Sequence, residues 1–164
     1  MKGTDMTTDE QKSTHVDVEL PEVKVDVEVK TVKKKALTDR QCRSIFNKAH
    51  HAGVQSAKRC KPVPMVVGTP KTPFGNNIDT SKKMYYVEGG VCGFAWVEIH
   101  PARGKFVQWL KKNDHGHKSD YFGGWHIGVF INTQSLARNE AYARAFAQVL
   151  CDNGINARAN SRID

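Results

Sequence analysis

A two-layer α+β domain is the fold class this sequence predicts. It has a mixed or mostly antiparallel sheet of about five strands with two long helices and one short helix packed on it, and a flexible N-terminal tail. Three observations lead there. Apolar residues recur at helical spacing in two long segments and one short one, they alternate with period two in several short runs, and residues 1–36 lack the aromatic and apolar content of a core. The order helix, strand, strand, strand, helix, strand, helix, strand contains no internal repeat. The remaining residues, 37–164, are long enough for one domain to bury a core without disulfides or metal.

The tail, 1–36, contains no aromatic residue and no glycine after Gly3, and it ends in the basic run Lys33 to Lys35. Such composition is the signature of a disordered, solvated segment. Within it "VKVDVEVK" alternates strictly, with Val23, Val25, Val27 and Val29 against Lys24, Asp26, Glu28 and Lys30, and Pro21 shifts the apolar register. The same arm, residues 16–32, therefore also suits strand addition to the sheet of a host or virion protein.

The body opens with a helix. Thr38 and Gln41 make a capping box, with Leu37 and Cys42 placed to staple it. Cys42, Ile45, Phe46, Ala49, Ala52 or Gly53, and Ser56 define its buried face, and Pro62 and Pro64 end it. "PMVVG" reads as a short buried strand, the Pro- and Gly-rich stretch that follows as loop, and "KKMYYVEGG" as a strand stopped by paired glycines. In "VCGFAWVEIH", Val91, Gly93, Ala95, Val97 and Ile99 share one face. Cys92, Phe94 and Trp96 share the other until Glu98 and His100 turn polar, so both faces are covered for most of its length and the strand is central. "KFVQWLKKN" is a short amphipathic helix, "NDHGHKSDYFGG" a loop, and "WHIGVFI" a strand. The longest helix then starts near Asn132, Thr133 or Ser135 and stops at Gly154, with Leu136, Ala143, Phe146, Ala147 and Leu150 inward. "INARANSRID" closes the chain as a strand with one small face and one hydrogen-bonding face.

Charge is unevenly divided. Of 25 Lys and Arg and 17 Asp and Glu in the chain, the tail holds 7 and 8, leaving 18 and 9 in the body. A surplus of that size favours an anionic partner, nucleic acid being the commonest. Four dispersed cysteines without a CxxC pair, and no leader or membrane-length apolar run, place the chain in a reducing cytoplasm and away from membranes.

Several residues carry the expected contacts. "HPARGK" leads from a strand into a helix start, where free N–H groups and the helix dipole favour an anion beside Arg103 and Lys105. Arg158, Asn160 and Arg162 project from one face of the last strand and can fork onto phosphates or base edges, although charge on an edge strand also serves to block aggregation. Arg138 and Tyr142 add a cation and an aromatic on the long helix, outside its core stripe. Tyr85, Tyr86, Tyr121, Phe122 and Trp125 are candidates for base stacking. No classical nucleotide loop is present, His115 and His117 lack the further ligands of a zinc site, and Cys92, His100 and His126 are the least implausible thiol and imidazole centre, with nothing local to activate Cys92. No cofactor, metal or catalytic residue is expected.

The pieces "CKPVPMVVGTP", "YYVEGGVCGFAWVEIHPA", "YFGGW" and "AYARAFAQVLCDNGINARANSRID" resemble a family of small uncharacterised proteins encoded by tailed bacteriophages. The resemblance starts at Cys60 and leaves the tail uncovered. It implies a viral accessory protein in the cytoplasm of an infected bacterium, or in the virion, and transfers no activity. The sequence reading is thus a non-enzymatic nucleic-acid-binding module, with a protein-interaction module (host-factor inhibitor or virion component) and a small enzyme or nucleotide binder as the alternatives.

Overall fold

A computed structural model of the chain describes residues 36–121 and 123–164. Tail residues 1–35, which hold the Val-rich arm, and Phe122 lie outside the described residues.

Helix α1, Asp39–Arg59, begins with the expected capping box. Thr38 Oγ1 accepts from the Gln41 N–H at 3.3 Å, while Gln41 Oε1 accepts from the Thr38 N–H at 2.9 Å. Its buried face is Cys42, Ile45, Ala49, Gly53 and Ala57, so the last inward position is Ala57 and not Ser56. Strands β1, Met65–Val67, and β2, Tyr85–Val87, pair antiparallel as a separate two-stranded sheet. This corrects the expectation that "PMVVG" is buried: Val66 and Val67 are exposed, because none of the described helices or main-sheet strands packs over so short a ribbon.

The main sheet has four strands in the order β4-β5-β3-β6, all neighbours antiparallel. They are β3, Gly93–Ile99; β4, His117–Lys118; β5, Trp125–Gly128; and β6, Ala157–Ile163. β4 falls within the expected loop, where two residues were too few to show a period. Helix α2, Lys105–Lys112, follows β3 after a cis His100–Pro101 bond, and α3, Leu136–Asp152, precedes β6. Because α3 starts only at Leu136, its 17 residues fall short of the 21 of α1, which is the longest helix of the described residues.

One face of this sheet makes the core. Ala95, Val97 and Ile99 of β3 and Trp125 and Ile127 of β5 join Cys42, Ile45 and Ala49 of α1, Phe106, Trp109 and Leu110 of α2, and Phe146, Ala147 and Leu150 of α3. The alanine-rich stripe of α3 lets α1 approach closely. At Gly53 an added Cβ would lie 2.7 Å from the Tyr142 ring, so only hydrogen fits there. The opposite sheet face carries Phe94, Trp96, Glu98, His126, Arg158, Asn160 and Arg162, which strand alternation and the antiparallel register together bring side by side. The expected cover on both faces of β3 is therefore half right: Phe94 is 49% exposed.

Candidate functional site on the open sheet face

The centre of the open face is Glu98. In register across the four strands lie His117, His126, Glu98 and Arg158, because His117 pairs with His126, and Glu98 is opposite both His126 and Arg158. Glu98 is 2% exposed although no described helix lies over it; the side chains of its own row and the next bury it. Its Oε2 accepts from Arg158 Nε at 3.0 Å and from Asn160 Nδ2 at 2.6 Å. Its Oε1 hydrogen-bonds His100 Nε2 and lies 3.7 Å from His126 Nε2. Burial pushes the Glu98 carboxyl up, but the hydrogen bonds from Arg158 and His100 and their charges outweigh it and hold the group at about 2. Glu98 is thus a fixed anion that accepts from every side.

Beside this cluster is an aromatic cleft of about 550 Å³, lined by Phe94, Trp96, His117, Tyr121, His126 and Phe130 among others, with Lys118 and Arg162 at its edge. None of its lining comes from a helix. Tyr121 and Phe130 are almost fully exposed. Arg162 holds its guanidinium 5.4 Å over the Phe94 ring, a cation–π contact. Trp96 packs on His126 with ring centres 6.0 Å apart, and His126 meets His117 edge-on at 5.9 Å. Among the described residues Trp96 Nε1 and His126 Nε2 are buried without a hydrogen-bond partner.

The residues singled out from the sequence separate into three places. Arg158, Asn160 and Arg162 are together on the open face, with Arg158 and Asn160 both tied to Glu98. Arg103 and Lys105 are exposed at the start of α2 and border a different groove, of about 400 Å³, that reaches His100. Arg138 is exposed on α3 and lines a groove of about 520 Å³ with His50, Lys58 and Phe130. Tyr142 corrects the expectation of a surface aromatic. It is 6% exposed, and its hydroxyl is 2.6 Å from His50 Nδ1, because the close α1–α3 contact draws the ring into the core. Burial pushes its phenol up to about 12.

Tyr85 and Tyr86 are exposed on the small ribbon, and Trp125 is core, donating Nε1–H to the His115 carbonyl at 2.8 Å. His115 stacks on Phe46 at 4.3 Å between ring centres, far from the role of a zinc ligand, and among the described residues no three His, Cys, Asp or Glu gather for a metal ion. Of the thiol and imidazole trio, His100 and His126 converge on Glu98. Cys92 does not, since it lies six positions before Glu98, about 20 Å away along extended chain. Glu98 is the residue that sequence reasoning passed over. Its signal was a carboxylate inside an otherwise apolar central strand, where a charge must find partners.

No protein-family model, curated protein or solved structure matches this chain.

Proposed function

We propose that the body binds single-stranded nucleic acid on its open sheet face, as an accessory protein of the viral kind that the sequence resemblance implies. The observation that carries this reading is the pairing of exposed aromatic rings with cations on a face that no described helix covers: Phe94 beneath Arg162, Tyr121 and Phe130 at the cleft, and Arg158 two rows from Arg162 along the same strand. Bases stack on such rings whatever their identity, and cations spaced along a strand follow the phosphates. The body's charge surplus draws a polyanion toward it. A duplex hides its base faces, so single strands bind more tightly than double strands here.

Fluorescence anisotropy with labelled single- and double-stranded DNA and RNA, at low and near-physiological salt, tests this. The expected result is submicromolar, salt-sensitive binding that favours single strands. Arg158→Ala with Arg162→Ala removes two phosphate contacts and lowers the salt slope by about 1.4. Unchanged affinity and slope in that double variant would rule out this face as the nucleic-acid surface. Retained binding in the double variant, lost instead on replacing Arg103 and Lys105, would move the site to the start of α2.

A further inference from the structure

The main sheet ends at β6, whose outer edge no other strand of the described residues pairs. Which backbone groups face outward follows from the ladder. At its two ends the His100 N–H donates to the Asn156 carbonyl at 3.0 Å and the Asp164 N–H to the Cys92 carbonyl at 3.2 Å, so the even-numbered residues of β6 bond to β3. The N–H and C=O groups of Ala157, Ala159, Ser161 and Ile163 point to the free edge. Among the described residues the Ala157 carbonyl alone of these has a partner, the Cys151 thiol at 3.1 Å.

Native proteins blunt such an edge with charge, proline, a bulge or a covering element. β6 has no proline, and its pairing with β3 runs in unbroken register from Ala157 to Ile163. Its polar side chains turn away from the edge. Arg158 and Asn160 reach back to Glu98 of β3, Arg162 lies over Phe94 of β3, and Ser161 donates to Glu140 of α3. The charge that would guard the edge is folded over the sheet, and the backbone edge is left as a template.

The side chains flanking that template define what fits it. On the face toward α3 an added strand continues Ala157 and Ala159, half-buried against the core, and the exposed Ile163, which favours β-branched apolar residues. On the open face it runs beside Arg158 and Arg162, with the neutral Asn160 between them, which favours two carboxylates at the same spacing. Arg158 gives Glu98 its Nε–H, and its side chain is 63% exposed, so its outer nitrogens can meet a carboxylate. A second copy fits poorly, because pairing β6 with itself along its full length sets Arg158 of each copy against Arg162 of the other. We infer that the free edge of β6 docks an extended acidic segment of another protein as an antiparallel strand, its apolar residues alternating with polar ones that include two carboxylates four positions apart. Backbone bonds supply the affinity, and the carboxylates fix the register. The inference needs the edge of β6 and not the aromatic rings of the single-strand reading, so either can fail without the other.

The test titrates the full chain with a synthetic peptide in which valine alternates with threonine and two glutamates stand four positions apart, followed by calorimetry and by amide exchange in NMR. In the free chain the amides of Arg158, Asn160 and Arg162 are expected to be protected and those of Ala157, Ala159, Ser161 and Ile163 to exchange fast. Peptide should slow the second set about 10-fold or more. N-methylation at two valines, whose N–H groups face β6, should weaken binding about 10-fold or more, and the same change at two threonines should not. Replacing both glutamates by lysine should weaken it as much. On the protein, Ser161→Pro removes an outward N–H without touching the β3 ladder and should abolish binding; if that variant does not fold, the methylated peptides decide. No slowing at millimolar peptide, or equal loss from both methylated peptides, overturns the inference. Outward amides already protected in the peptide-free chain overturn it too, and assign the edge to a second copy if sedimentation gives a dimer and to the chain itself if it gives a monomer.

Discussion

Glu98→Gln removes the charge at the centre of the open face and keeps its shape. The carboxylate accepts from Arg158 and Asn160 at Oε2 and from His100 at Oε1, with His126 Nε2 3.7 Å from Oε1. A single amide oxygen can serve only one of these two sides, and its NH₂ then faces the other. Keeping the Arg158 and Asn160 bonds forces His100 to present an unprotonated Nε2, and turns a charge-assisted bond into a neutral one. Bonds to charged groups contribute about 1.5–3 kcal/mol against about 1 for neutral pairs, and an Arg158 head that is largely in water returns only part of the loss. The expected cost is about 2 kcal/mol at neutral pH, a fall in Tm on the order of 8 °C for a domain of this size.

The pH dependence has a definite sign. The Glu98 carboxyl is held at about 2 in the folded chain against an ordinary 4.5, so its contribution is complete above about 4.5, shrinks as pH falls, and is gone below about 2. Urea melts of wild type and Glu98→Gln at neutral pH and through the acid range measure both effects. The two stability curves should converge as pH drops through that window. Parallel curves, or Tm values within about a degree at neutral pH, would refute the pairing of Glu98 with Arg158 and His100 as a source of stability.

Other substitutions probe the scaffold beneath the site. Gly53→Ala gains about 1 kcal/mol in helix propensity, but its methyl meets the buried Tyr142 ring, and overpacking of about 1–3 kcal/mol should leave the variant less stable in thermal melts. Thr38→Ala breaks the capping box of α1 and should cost about 1 kcal/mol by the same assay. Gly124→Ala combines a left-handed backbone, φ +77°, with a Cβ against His100; it should lose about 1–3 kcal/mol and displace the His100 ring, read as a shifted imidazole resonance in NMR. Phe94→Ala should weaken single-strand binding by about 5- to 100-fold, the stacking of one base, with little change in the salt slope.

The sequence by itself determined the elements whose signals are local. The capping box at Thr38 and Gln41, the inward stripes of α1 and α2, Gly154 after α3, and the alternation of β3 and β6 all depend on residues a few positions apart, where the periods of helix and strand act directly. It also determined that Arg158, Asn160 and Arg162 share a face. What only the tertiary structure decided is what each face meets. β1 looked like core because its residues are apolar, yet a strand is buried only if another layer reaches it, and none of the described elements covers the ribbon it forms with β2. Tyr142 looked like surface because a phenol suits either side of a helix, and the small Gly53 opposite, 89 positions earlier in the chain, drew it inward. The site itself is the clearest case. His117, His126, Glu98 and Arg158 are dispersed over the sequence and unremarkable one at a time. The antiparallel pairing of four strands lines them up in one row, and a row of charges exists only where register puts it.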